Sequence, residues 1–559
     1  MRRAIGHGTG VLTPVFALLA VAAANAAPGG PAAAPSPPQE VTTVENPYEG
    51  IDWARCAYVH SMSHQHGGTN DASRREFLAM GYRHFAFSNY YPSAPVYPLP
   101  EDFCAAHPDV IACPNSEHHG ATDASIHFNA PGSLTASGSG HFAPGGLLST
   151  SPATVAFSGL TPFATAKPPG RGVYFLALRV APREGTAGPA AASVTVEGGL
   201  ECEHDTFALV GDGAIRSRRW DAGSRSLYLR ASAPTVRVTV EFDPRETQIG
   251  LLRLMQGANR PWRDAFRAIL DGEVEDGKRV GGLLFDDGGG ITLNHPTGTL
   301  QSYLPMLDFD PRVLGIEVWN RLAYGFGSGK ADPNLHYYRM WDDILRTGRR
   351  CFGFFVKDHD IYGTGRNVLV LPDLRGMEPR EREQAALRAY RRGAFFGQVT
   401  PIRADAAGKP IPPYDLSHYR FTEISLRRGA QGRPESIAVA VDGNDPVLRP
   451  QRQIRFITER GVAAVFDSAD GRAAFALPEG GCRYVRVEAF AYPALRNGDR
   501  SLSPAAFREL DVYQIRSLSD HAPDAATPAP AAGGRAAAKP PVVEMIFSQP
   551  IRFVSDASG

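Results

Sequence analysis

His60-Ser61-Met62-Ser63-His64-Gln65-His66-Gly67-Gly68-Thr69-Asn70-Asp71 is the stretch from which the rest of the chain is read. Three histidines stand close together and an aspartate closes the run. His64 and His66 are two residues apart, so at the end of an extended strand both imidazoles face the same way. Two imidazoles projecting together are half of a metal site. A short His-rich run is also commonly a plain polar loop, so other parts of the chain must complete the site.

Working outward, residues 55–62 read as a strand leading into this run. Residues 72–81 have helical spacing, with Phe77, Leu78 and Met80 apolar and Gly81 as a stop, and 84–88 read as the next strand. A strand–helix–strand unit of that length predicts parallel pairing. Residues 110–114 form another apolar run, ending in Asn115-Ser116-Glu117-His118-His119, and Ile126-His127-Phe128-Asn129 follows. Helical spacing returns at Trp262, Phe266, Ile269 and Leu270. Strand phrases then cover 290–296, with Asn294-His295-Pro296 at its end, 313–320, and 351–360, with Lys357-Asp358-His359-Asp360 at its end. Helices are expected over 337–347 and 379–392. Alternating strands and helices predict an α/β barrel, in which functional groups gather at the C-terminal ends of the strands. Four of these phrases end in or run into His, Asp or Glu, which is hard to attribute to chance.

Two further regions have a different texture. Residues 143–250 are rich in short strand runs separated by turn residues and read as an inserted all-β, sandwich-like domain. After 397 the pattern is all-β again, with strands expected at 437–441, 454–458, 484–489 and 542–554, and an Ala/Pro/Gly-rich floppy loop at 521–540. The organisation expected is therefore a signal peptide at 1–26, a disordered linker at 27–45, barrel segments at 46–142 and 251–397 around the 143–250 insertion, and a C-terminal β domain at 398–559.

Composition narrows the function. Lys+Arg and Asp+Glu are both 58, so no basic surplus argues for a nucleic-acid or anionic-membrane partner. Arg2 and Arg3, the apolar run 11–23 and the Ala24-Asn25-Ala26 cleavage site read as a secretory leader, predicting a periplasmic or secreted protein with no membrane attachment after cleavage. Six cysteines are present. Cys104 and Cys113 are close enough in sequence to close a small loop, Cys56 and Cys351 read as buried free thiols, and no Cys-x-x-Cys spacing suggests structural zinc. No P-loop, nucleophile elbow or dinucleotide-binding glycine set occurs.

Taken in order, these phrases resemble the PHP (polymerase and histidinol phosphatase) superfamily of metal-dependent phosphoesterases, which are built on a distorted (β/α)7 barrel. The matching phrases are His64/His66 with Asp71, Glu117, His127, Asn294-His295-Pro296, the phrase from Gly315 to Asn320 that carries Glu317, and Trp341 with the run to Asp358. They cover roughly residues 46–142 and 255–397. The resemblance implies that His64, His66, Glu117 and Asp358 hold one divalent metal, and that Glu117 bridges to a second held by His127 and His295. The metal would be zinc, manganese or iron. Asp71 belongs to a third site in some members, but the two histidines that would complete it are replaced by Asn89-Tyr90 and by Asp360, with His359 adjacent. Two metals are therefore expected, with Asp71 left to act on a proton or a water. His359, Lys357, Tyr90 or His118 would steady phosphoryl oxygens or protonate the leaving group. Glu317 and Asn320 either line the pocket or make buried hydrogen bonds. The implied activity is hydrolysis of a small phosphoester by metal-activated water. Phosphodiesters are favoured over monoesters because no arginine cluster stands near the ligands. The competing reading is a non-catalytic or carbohydrate-binding protein on a degenerate barrel.

Overall fold

The structure is a computed structural model. It describes residues 43–554 except 69–70, 89–95, 119–125, 136–139, 143–152, 159–161, 164–169, 172, 187, 203–208, 216–217, 234, 257–261, 276–277, 321–332, 360–364, 400–418, 443–450, 493–507, 509–511 and 513–543. The leader at 1–26 and the loop at 521–540 lie outside the described residues.

The chain is mixed α/β and strand-rich. The strand Ala57–Met62 is followed by the helix Asp71–Ala79 and pairs in parallel with His84–Phe85, which pairs in parallel with Ile111–Ala112. A second sheet pairs Ile291–Leu293, Val313–Asn320 and Phe352–Val356 in parallel. Its other edge is antiparallel, through Phe128–Asn129 to Glu117–His118. All eight residues of Val313–Asn320 are buried, as expected of a parallel strand covered on both faces. Asn367 stitches the two sheets together: its Oδ1 accepts from Phe355 N at 2.9 Å and its Nδ2 donates to Ser63 Oγ at 2.9 Å.

The strands do not close a barrel among the described residues. Gly365–Leu371, which falls in no element predicted from the sequence, is a buried strand antiparallel to Ala57–Met62. It pairs on its other side with Phe395–Val399, which continues through Glu544–Ser548 to Tyr484–Tyr492. The first sheet thus runs outward into the C-terminal strands. Helix Pro379–Arg392 packs against this sheet. It starts with a capping box, Glu378 with Glu381, and stops at Gly393 with φ 75°.

The C-terminal strands therefore share a sheet and a core with the barrel region. Val368, Val370 and Phe396 pack with Phe421, Ile437, Val439, Phe456 and Val487. Residues 43–45, expected within a disordered linker, form a strand instead, because they pair antiparallel with Ile551–Val554. The insertion has its own core of Leu176, Val194, Leu229, Val238 and neighbours between a six-stranded and a four-stranded sheet, as expected of a sandwich. Its boundaries are wider than 143–250, since Gly140–Phe142 and Thr247–Gln256 pair with each other at the edge of the six-stranded sheet. All six cysteines are free, Cys104 and Cys113 included. No helix among the described residues is long and apolar enough to cross a membrane.

Candidate metal centre

The His64-Gln65-His66 turn is held by side chains that reach it from other strand ends. Asn115 Nδ2 and Asn129 Nδ2 donate to Ser63 O at 2.7 and 3.2 Å, and Ser88 Oγ accepts from Gln65 N at 3.0 Å. Gly68, at φ 67°, closes the turn where a Cβ would stand 2.2 Å from the Phe87 ring. Opposite lies Asp358, just past Phe352–Val356. Its N donates to His64 O at 3.0 Å and its O accepts from His66 N at 3.3 Å. Asp358 and His295 are the two non-glycine residues with positive φ among the described residues, at 54° and 24°. Such backbone persists only where its surroundings enforce it, and it is concentrated at functional sites.

The side chains converge in two groups that share one carboxylate. In the first, His64 Nε2 lies 3.5 Å from Glu117 Oε2 and 3.3 Å from Asp358 Oδ1, and His66 Nε2 lies 3.2 and 3.1 Å from the same two oxygens. In the second, His127 Nδ1 and His295 Nε2 each lie 3.4 Å from Glu117 Oε1. Ligand atoms about 2.0–2.2 Å from one ion stand roughly 2.8–3.6 Å apart in tetrahedral or octahedral arrangement, so these spacings fit shared coordination. His64 Nε2 and Asp358 Oδ1 are buried and make no hydrogen bond among the described residues. The first group can hold a metal ion, and imidazole with carboxylate suits zinc, manganese or iron alike.

The charge balance agrees. Glu117, Asp358 and Glu317 are carboxylates with almost no exposure. Burial alone would drive protons onto Glu117 and Asp358, yet the facing histidines hold both well below the usual carboxylate range. Burial likewise disfavours charge on His64, but Glu317, Asp358 and Glu117 outweigh it and hold its pKa well above the ordinary value. His295 is raised against its burial by the same carboxylates, whereas burial keeps His127 low. A proton on His64 thus stands where a cation would neutralise the cluster, and metal binding would displace it.

Glu317 and Asn320 make buried hydrogen bonds behind the ligands. Glu317 Oε1 accepts from His64 Nδ1 at 2.5 Å, and Oε2 accepts from His295 N at 2.7 Å and Asn320 Nδ2 at 3.0 Å. Asn320 Nδ2 also reaches Asp358 Oδ2 at 3.3 Å. Sequence reasoning missed Asn294, whose Nδ2 donates to Glu117 Oε1 at 3.0 Å. Its only signal was its place before His295.

The remaining candidates are dispersed. His359 borders the site, with Nε2 3.4 Å from Asp358 Oδ1 and its ring stacked on His66 at 4.2 Å. Asp71 is outside both groups, half exposed at the start of its helix and ion-paired with Arg74 and, at 3.4 Å, with Arg75. His118 follows Glu117 on the strand, so it points the other way. It stacks on Phe128 at 5.1 Å, and burial pushes its pKa down to about 3, keeping it neutral. Lys357 is buried with Nζ 4.8 Å from the centroid of the Tyr82 ring, and His60 packs edge-on against the same ring. His84 is buried at hydrogen-bond distance from Ser61. Tyr90 and Asp360 lie outside the described residues. No family model matches the chain, and no curated protein matches it.

Proposed function

We propose that the chain is an extracytoplasmic metal-dependent phosphoesterase that hydrolyses phosphodiesters, and monoesters as a secondary activity, on a PHP-type scaffold. The observation that carries this reading is Glu117, whose two oxygens face two separate histidine groups, as a carboxylate bridging two ions would. The parallel strands ending at His64, His295 and Asp358, and the secretory leader read in the sequence, support the scaffold and the address.

His64, His66, Glu117 and Asp358 would hold one ion and Glu117, His127 and His295 the other. Two divalent ions there would acidify a water, screen the phosphate charge and stabilise the leaving oxygen. The chain's own contribution is orientation. His64 keeps its Nδ1 proton on Glu317 and so turns the Nε2 lone pair inward. His359 borders Asp358 from the solvent side, where it can steady a phosphoryl oxygen or pass a proton to the leaving group.

The test is hydrolysis of bis(p-nitrophenyl) phosphate and p-nitrophenyl phosphate, with metal content measured on the same sample. Turnover with bound zinc, manganese or iron is expected. Absence of bound metal and of turnover on both esters, with Mn or Zn added, refutes the reading. Bound metal without turnover would move the protein to the binding-protein class.

A further inference from the structure

We propose that Glu317 is a positioning residue that couples the two metal positions, so that filling one prepares the other. The inference rests on the two-metal reading above and adds a residue outside both ligand groups. Its two oxygens divide their partners between the sites. Oε1 takes the Nδ1 proton of His64, a ligand of the first group. Oε2 takes the backbone N–H of His295, a ligand of the second. Through Asn320, which donates to both Glu317 Oε2 and Asp358 Oδ2, it also touches the last ligand of the first group.

Three features make this a device rather than a packing accident. Glu317 sits within a strand buried along its whole length and is itself wholly buried, so its carboxylate has one place to be. His295 has φ 24°, a conformation that L residues rarely adopt, and the 2.7 Å bond from its N–H to Glu317 is an enforcing contact. His64 has one nitrogen for a metal and one for Glu317, so an ion on Nε2 strengthens Nδ1–H as a donor and tightens the carboxylate. The same carboxylate then holds His295 in register. Glu117 links the sites as a shared ligand, whereas Glu317 links them from behind.

The chemistry of the variant is specific. In Glu317→Gln one side-chain oxygen becomes an NH2 group, which cannot accept from His64 Nδ1–H or from His295 N–H. Whichever way the amide turns, one group keeps its acceptor and the other meets donor against donor. Calorimetric titration of the metal-stripped full chain with Zn²⁺, with stoichiometry checked by elemental analysis, reads this directly. Wild type should take up two ions with closely coupled affinities. Glu317→Gln should take one ion about as tightly as wild type and the second about 10–100-fold more weakly. Two ions bound within about twofold of wild type would overturn the proposal, since that is less than any outer carboxylate of this kind contributes. Should Glu317→Gln fail to fold, Asn320→Ala removes one of the three donors and should still weaken one of the two affinities several-fold, with no change overturning the inference. A wild-type chain that binds no zinc defeats the two-metal reading and this inference with it. A wild type that binds two and a variant that also binds two tightly defeats only the role of Glu317.

Discussion

Arg486 and His64 are both fully buried, and each faces more than one carboxylate, yet their surroundings are built differently. Arg486 joins the helix Pro333–Arg346 to the strand Tyr484–Tyr492. It donates to Asp342 at 2.8–3.0 Å, to Glu488 at 2.6 Å and to the Tyr338 hydroxyl at 2.7 Å, and lies 4.7 Å from the centroid of the Trp341 ring. Burial pushes the pKa of Glu488 up to about 8, which favours its neutral form beside the guanidinium. That cluster is balanced from within the chain. Around His64 the lone pairs of two carboxylates and two imidazoles point into one small volume, and a third carboxylate stands behind them. A buried polar cluster that closes on itself holds the fold together. One whose carboxylates and imidazoles converge on a common volume is built for something that arrives later.

The sharpest way to break this contrast is to remove the centre of each. His64→Ala should cut phosphodiester turnover by more than the ~10–100-fold typical of losses behind the ligands, because it deletes a ligand itself. The folded chain should still melt cooperatively without metal. Arg486→Met should do the reverse. Leaving the part-buried Asp342 without its cation should cost up to about 3 kcal/mol of stability, the low end of the range for a fully buried pair. Metal bound per folded molecule should be unchanged. Denaturant melts and elemental analysis of both variants check the pair, and a metal-free Arg486→Met protein would erase the distinction. Chelation gives the complementary measurement. An ion held at about 100 times its Kd contributes roughly 2.7 kcal/mol, so stripping the metal should lower the wild-type melting temperature, and should lower that of His64→Ala by less.

A smaller effect is the pH dependence. The raised pKa of His64 means that its proton stabilises the metal-free fold. That stabilisation is full below the unfolded value of about 6.5 and is lost as pH climbs through the raised folded value. Glu117 and Asp358 are depressed, so their contribution is present above about 4 and is lost as pH falls through their folded values. Metal must expel the His64 proton, so zinc affinity should rise with pH through the window above about 6.5, by at most tenfold per unit for each proton displaced. The stability lost on chelation should grow over the same window. A flat affinity between pH 6.5 and 8.5 would show that His64 carries no proton to displace.

How far the site was legible in the sequence follows from what each residue's signal is. His64, His66, Glu117, His295 and Asp358 stand at the ends of short strand phrases, with His127 in the phrase after Glu117, and strand ends in α/β folds converge; it was the family resemblance carried by their order that grouped them as ligands. Glu317 sits inside an apolar strand, and no periodicity tells a buried carboxylate that holds a histidine from one that lines a pocket. The fold was legible where helices and strands alternate and illegible where tertiary pairing decides. Gly365–Leu371, whose last four residues alone are apolar, falls in no element predicted from the sequence, and it is a strand through its neighbours on both sides. Thr43–Glu45 packs only Val44 against the core and is a strand because the chain returns to pair with it about 500 residues later.

The smallest effects belong to two residues that sequence placed at the chemistry. On a strand, consecutive side chains alternate faces, so Glu117 turning inward obliges His118 to turn away. Its ring lies almost parallel to that of Phe128, and burial keeps it uncharged. His118→Phe should therefore leave kcat and KM within about twofold, and should cost no more than the ~1 kcal/mol of the single hydrogen bond that Ser116 loses. Asp71 is held low by Arg74 first and Arg75 second, and its carboxylate faces solvent. Neutralising it as Asp71→Asn should leave turnover and metal content within about the same twofold, since an ion pair this exposed contributes little even to stability. A pH–rate profile that lost its acidic limb in Asp71→Asn would return that residue to the chemistry and reopen the third metal position.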